Sequence, residues 1–295
     1  MRPVRTYAFP TMKWESERRS DNVEDRRGFS VGRGGAIGGG AVLIAVVAAL
    51  LGAPAELVKS LLGGGATPGE QGGPVGPRDP AEEKRVDFVK AVLGSTEDVW
   101  ATVLPEAGRR YQVPKLVLFT DAVESACGNA SSAMGPFYCP ADRQVYLDLD
   151  FFRELSSRFG APGDFAQAYV IGHEIGHHVQ NLLGISARVQ AQQRAMPGAA
   201  ANRISVETEL QADCLAGVWA FHANKTRHIL ETGDVEAAIK AATAIGDDTL
   251  QKASRGRVVP ESFTHGSSAQ RVKWLNVGLS GGRVEDCDTF KTSSL

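Results

Sequence analysis

Residues 169–180 read Tyr-Val-Ile-Gly-His-Glu-Ile-Gly-His-His-Val-Gln, and no other stretch restricts so strongly what this chain can fold into. A helix turns about 100° per residue, so His173 and His177 project from one face within roughly 40° of each other, about one turn apart. Glu174 is rotated to the side of that pair. Two imidazoles at this spacing can reach one metal ion, with the carboxylate beside the ligands rather than among them. The flanking sequence favours a helix: Asp164 is a candidate cap and Gly184 stands where a C-terminal glycine is expected. Phe165, Ala168, Val170, Ile171, Ile175, Val179 and Leu182 supply an apolar surface. His178 points roughly 140° away from His173 and is expected to pack or hydrogen-bond nearby.

These residue types suit hydrolysis. Neutral imidazoles leave most of the charge of a zinc ion uncancelled, so the pKa of a bound water falls from about 16 towards about 7 and a neighbouring carboxylate can take the proton. The competing reading is a core helix with hydrogen-bonded histidines. A catalytic zinc takes three protein ligands and keeps one open position, so a third ligand is needed. Residues 205–219 have helix-forming composition with Ser205 as a plausible cap, and Glu209 and Asp213 share a face four residues apart. One can bind the metal while the other orients a ligand histidine. Glu207 lies about 200° from Glu209 and has no carboxylate four residues later. His222 and His228 read as surface histidines.

The rest of the chain frames this segment. With 295 residues, 43% of them hydrophobic, and a net charge of -2, there is material for one domain of about 200 residues plus accessory segments. Nothing in the charge balance points to nucleic acid. Residues 1–33 carry eight Lys or Arg among five acids and read as a disordered basic tail. Residues 34–55 contain no charge; as a helix they would span about 33 Å, against a hydrocarbon core of about 30 Å. Ala53-Pro54-Ala55 resembles a signal-peptide cleavage site, but so long a preceding segment favours an uncleaved anchor. The basic excess before the span, against Lys59 after it, predicts an inner-membrane protein with its N-terminus in the cytoplasm and its domain outside. Residues 56–83 are a Gly/Pro-rich linker, leaving 84–295 as the folded domain. Cys127, Cys139, Cys214 and Cys287 then lie where disulfides persist. The favoured pairing is Cys127 with Cys139 and Cys214 with Cys287; four buried thiols are the alternative.

The stretch Val170–Val179 resembles the extended zincin metallopeptidase pattern. Glu209-Leu210-Gln211-Ala212-Asp213 is similar to the third-ligand helix of membrane metallopeptidases that process prenylated proteins. Three further stretches resemble the bacterial neutral zinc metallopeptidase family: Met12-Lys13-Trp14 with Asn22 to Gly28, Gly135-Pro136-Phe137-Tyr138-Cys139-Pro140, and Val145-Tyr146-Leu147-Asp148. The resemblance implies one Zn²⁺ held by His173, His177 and Glu209, with Asp213 and Arg271 in supporting roles. It also implies an α+β zincin-like domain, in which an active-site helix lies beside a small sheet and a mostly helical C-terminal part follows.

In the prenyl-processing relatives a histidine followed six positions later by an arginine lies near the metal. His265 and Arg271 keep that spacing, with Gly266 where those relatives usually have proline. His265 is accordingly a candidate oxyanion stabiliser. Zincins offer an edge strand to an extended substrate, and Lys115–Thr120 or Gln144–Asp148 could supply it, with Phe137 and Tyr138 lining the cleft. Asp247 and Asp248 are expected to end the helix that starts near Asp234. The reading is thus a membrane-anchored zinc metalloendopeptidase with Glu174 as general base and a peptide or protein as substrate. A zinc-stabilised envelope scaffold without turnover is the alternative, and hydrolysis of another amide, such as one in the cell wall, is a third.

Overall fold

The computed structural model describes residues 12–28, 79–196 and 198–291. They form a helix-rich α+β fold around one four-stranded sheet and a separate hairpin. The strands are β1 (Val23–Asp25), β2 (Lys115–Phe119), β3 (Ala122–Ser125), β4 (Gly128–Ser131), β5 (Phe137–Cys139) and β6 (Gln144–Asp148). The sheet runs β1-β2-β6-β5, with β1, β2 and β6 parallel and β5 antiparallel to β6. Alternation along β2 and β6 sends side chains to opposite faces. Leu116, Leu118, Val145 and Leu147 enter the main core, whereas Val117, Phe119 and Tyr146 meet Val123 and Ala130 of the β3–β4 hairpin.

Both strands expected to bind an extended substrate are therefore interior, since β2 is paired to β1 and β6, and β6 to β2 and β5. Among the described residues the free edges belong to β1 and β5. Only β5 lies against the helix that carries His173, with Tyr138 reaching that helix at His178 and Asn181.

The helices are α1 (Pro80–Glu106), α2 (Asp150–Ser157), α3 (Asp164–Leu182), α4 (Ile185–Ala195), α5 (Ala199–Arg227), α6 (Asp234–Ala244), α7 (Asp247–Arg255) and α8 (Ser268–Gly281). The expected linker to residue 83 ends earlier, because Asp79 accepts from the Ala81 N–H at 2.9 Å and Pro80 opens α1. Two caps differ from expectation. The Asp164 carboxylate accepts from Trp14 Nε1 at 3.1 Å instead of capping α3. Ser205 lies inside α5, which begins six residues earlier at Ala199, and its hydroxyl bonds the Ala201 carbonyl. Asp247 and Asp248 open α7 rather than closing α6. The C-terminal Gly184 of α3 is left-handed at φ 78°, as a helix stop requires.

Close approach of α3, α5 and α8 depends on missing side chains. A Cβ on Gly176 would lie 2.8 Å from the Ala212 carbonyl oxygen, and one on Gly172 2.9 Å from the Trp219 ring. On the other side of α5, a Cβ on Gly278 would meet the Cys214 carbonyl. The helix bearing the histidines therefore sits backbone to backbone against the helix bearing Glu209 and Asp213.

Residues 12–28 are not the disordered tail that their composition predicts. Met12 and Trp14 are buried, the Lys13 N–H donates to the Ile229 carbonyl, and β1 adds to the sheet with Val23 opposite Leu116. The buried Glu97 carboxylate accepts from Ser20 at 2.6 Å, Asn22 at 2.8 Å and Arg18 at 2.6 Å. Arg27 pairs with Asp25, Glu82 and Glu83. Composition misled because the apolar content of this strap is low, and what holds it is a set of tertiary ion pairs that no local pattern discloses. A strap bound in this way cannot lie across a membrane from the domain that binds it. The anchor expected at 34–55 lies outside the described residues, and no helix among the described residues is long and apolar enough to cross a membrane.

Candidate metal centre

Each donor of the site is set by helix geometry. His173 and His177, one turn apart on α3, face Glu209 on α5. His173 Nε2 is 3.2 Å from Glu209 Oε2, and His177 Nε2 is 3.4 Å from Glu209 Oε1. One ligand atom from each of the three lies within 4.8 Å of the others. Two atoms each about 2.1 Å from a common tetrahedral centre stand about 3.4 Å apart, so the two histidine–carboxylate separations are of the size that a shared zinc ion requires. Two imidazoles and a carboxylate also match the donor set of a catalytic zinc with an open position.

The surroundings of the two histidines differ. His173 Nδ1 lies 2.8 Å from Asp213 Oδ1, and that fully buried carboxylate also accepts from Tyr169 Oη at 2.5 Å and from Arg271 Nε and Nη2 at 2.9 Å each. Burial alone would raise the Asp213 carboxyl, but Arg271 and His173 outweigh it and hold it below the ordinary value. Burial opposes charge on His173 too, yet Asp213, with help from Glu209, pushes that imidazole up to about 10. The donor set is therefore charged before a metal arrives, and metal binding must displace a proton. His177 has a neutral partner instead, with Nδ1 2.8 Å from Gln180 Oε1.

Glu174 is buried, at 7% exposure, and its carboxylate has no hydrogen-bond partner among the described residues. Burial raises its pKa, against the pull of His173 and His177. A carboxyl so placed is of the kind that serves as a general base towards a neighbouring water.

His265 is 53% exposed and is not among the three grouped donors. Its loop is built on Asp247, whose Oδ2 accepts the backbone N–H groups of Thr264 at 2.8 Å, His265 at 2.6 Å and Gly266 at 3.0 Å. Asp247 Oδ1 lies 3.3 Å from His265 Nδ1. Desolvation works against the imidazolium, but Asp247 and Glu209 raise its pKa overall, so the ring is near enough to feel the Glu209 charge. Gly266 has φ 86° and packs on Val206 and Leu210 of α5. Proline is fixed near -65°, which accounts for its absence here.

His178 is buried and neutral: Nε2 donates to the Gln112 carbonyl at 2.5 Å, and Nδ1 accepts from Tyr138 Oη at 3.1 Å. His222 is half-buried rather than a free surface group, and its Nε2 donates to the Gly282 carbonyl at 2.7 Å. The cysteines pair as Cys127–Cys139 and Cys214–Cys287. Sequence reasoning missed Tyr169, Gln180, Gln211 and Asp247. Gln180, three residues after His177, carried a local signal, because that spacing puts it over the same helix face; Asp247 carried none.

The family model described as Putative neutral zinc metallopeptidase matches residues 12–290. The chain is similar to "Uncharacterized protein YpfJ" of Escherichia coli (strain K12), with 45% identity over 289 residues, covering 96% of this chain and all (100%) of that protein. Similarity to "Uncharacterized protein Rv2575" of Mycobacterium tuberculosis is 45% over 217 residues, covering 70% of this chain and 71% of that one. No solved structure matches the chain. The family match begins at Met12 and so includes the strap.

Proposed function

Because this chain belongs to the Putative neutral zinc metallopeptidase family, we propose that it is a zinc-dependent endopeptidase of zincin type. The observation that carries this reading is the convergence of His173, His177 and Glu209 on one point, beside a buried carboxylate, Glu174, that makes no hydrogen bond among the described residues. Zinc bound there supplies Lewis acidity, lowering the pKa of water towards about 7. Glu174 accepts the proton of the attacking water at its carboxylate and passes it to the leaving amine. Asp213 holds His173 with Nδ1 protonated, so that Nε2 faces the metal position. Arg271 keeps Asp213 ionised and in register. His265, steadied by Asp247, donates to the developing oxyanion. An extended peptide adds to the free edge of β5, which is the edge beside α3. Two disulfides support an oxidising compartment outside the cytoplasm.

The test uses the full chain. Zinc content is measured, and cleavage of an unbiased peptide library is compared with that by Glu174→Gln. About one zinc per chain, with products that the variant loses by a factor of about 100 or more, is the expected result. Zinc in both proteins with identical products would sink the peptidase reading and leave a zinc-stabilised scaffold.

A further inference from the structure

Beyond the ligands, two buried amides carry no role in the chemistry above. Gln180 is 0% exposed and Gln211 6%, and a buried primary amide is costly unless its donors and acceptor are all engaged. Here their bonds run in one direction. His177 Nδ1 donates to Gln180 Oε1 at 2.8 Å. Gln180 Nε2 donates to the Thr208 carbonyl at 2.7 Å and to Gln211 Oε1 at 3.1 Å. Gln211 Nε2 donates to the Cys287 carbonyl at 2.9 Å. Cys287 is joined to Cys214 on α5, and two residues on Thr289 Oγ1 donates to the Glu207 carbonyl at 2.6 Å. The terminal carbonyl is thus fixed from both sides.

The polarity of this chain is determined by its far end. A backbone carbonyl can only accept, so Gln211 must present its nitrogen to Cys287 and its oxygen to Gln180. Gln180 must then present its nitrogen to Gln211 and Thr208, and its oxygen to His177. That oxygen needs a proton on His177 Nδ1. We propose that Gln180 and Gln211 are positioning residues: an amide relay, anchored on the Cys287 carbonyl, holds His177 with Nδ1 protonated and Nε2 turned to the metal position. The proposal rests on the zinc-site reading for its consequence but not for its geometry. The centre then has two unlike supports. His173 is held by an ionised carboxylate and His177 by a neutral amide, so the added negative charge is confined to one ligand.

The test compares full-length wild type with Gln180→Leu and Gln211→Met. Gln211→Met keeps the side-chain length and touches no ligand, so it decides the matter even if Gln180→Leu does not fold. Zinc affinity is read by competition with a chromophoric chelator. In parallel, zinc-free protein carrying ¹⁵N-histidine is examined by NMR for a His177 Nδ1 proton protected from exchange with water. We expect about 10- to 100-fold weaker zinc binding for Gln180→Leu and a smaller loss for Gln211→Met. The protected Nδ1 proton of wild type should exchange faster in both. Affinity within twofold of wild type together with an unchanged Nδ1 signal in Gln211→Met overturns the relay. If wild type binds no zinc, the metal reading fails, while the zinc-free NMR comparison still decides the relay.

Discussion

Single residues in this protein divide by whether their environment favours charge. His173 is surrounded by carboxylates and held protonated when no metal is bound, whereas His178, five positions on, is held neutral. Burial depresses the His178 imidazole to about 4, from about 6.5 when unfolded. A folded-state pKa below the unfolded one means that the unfolded chain binds the extra proton first. The contribution of His178 is therefore complete above pH of about 6.5, and roughly 3 kcal/mol of it is lost as pH falls to about 4. Urea unfolding of zinc-free protein across this range should show wild type losing stability faster than His178→Phe. The variant is expected to be weaker at pH 7.5 and to close the gap on acidification. Parallel curves would mean that His178 is not held neutral by the fold. The three residues His173, Glu174 and His177 were legible because one helix turn suffices to relate them. Asp213 was legible by the same arithmetic on α5. Asp247 and Arg271 act across 18 and 58 residues of chain, on His265 and Asp213, and for such pairs local periodicity offers no signal.

At the scale of elements, the site depends on how closely two helices approach. Gly172 and Gly176 each precede a ligand histidine in sequence, and they lie on the same side of α3 as the histidines, where each leaves room for α5. Gly176→Ala places a methyl group 2.8 Å from the Ala212 carbonyl oxygen and 3.1 Å from the Ala212 Cα, both backbone atoms that cannot rotate away. Helix separation should follow, at a cost of about 1–3 kcal/mol. Because Glu209 and the histidines are on different helices, the same shift opens the donor set, and zinc affinity is expected to fall about tenfold or more. Chelator competition and thermal unfolding of the variant measure both effects. A loss of stability with unchanged affinity would show that the ligand set tolerates the separation. Element identity was largely readable where apolar residues recur, as in α3 and in β2 and β6. The extent of α5 was not: it runs 29 residues, with a first third in which only Ile204 and Val206 among the larger apolar side chains mark a buried face. Nor was the edge role of β5, since three residues give no period, and an edge is defined by which strand lacks a neighbour.

For the whole molecule, the strap decides which arrangements across a membrane are possible. Residues 12–28 contribute a strand, two buried apolar side chains and several ion pairs to the body formed by 79–291. Arg27 and Glu82 are bonded at 2.6 Å, so the two ends of segment 29–78 meet at one corner of the fold. A single crossing by that segment would put its flanks on opposite sides and break every one of these contacts. The folded state therefore predicts that strap and domain share a compartment. All four native cysteines are in disulfides, so single exposed thiols can be introduced as reporters. Ser16→Cys lies in the strap and Ser156→Cys on α2, both at exposed positions. Intact spheroplasts expressing either variant of the full chain are treated with a membrane-impermeant maleimide, with lysed cells as the control for total reactivity. The two positions should label alike, and with both disulfides oxidised they should label before lysis. If Ser156→Cys labels before lysis and Ser16→Cys only after it, the strap is separated from the domain by the bilayer. The contacts at Glu97, Asp87 and Glu82 would then not form in the cell, and the basic N-terminal segment would be a cytoplasmic tail after all.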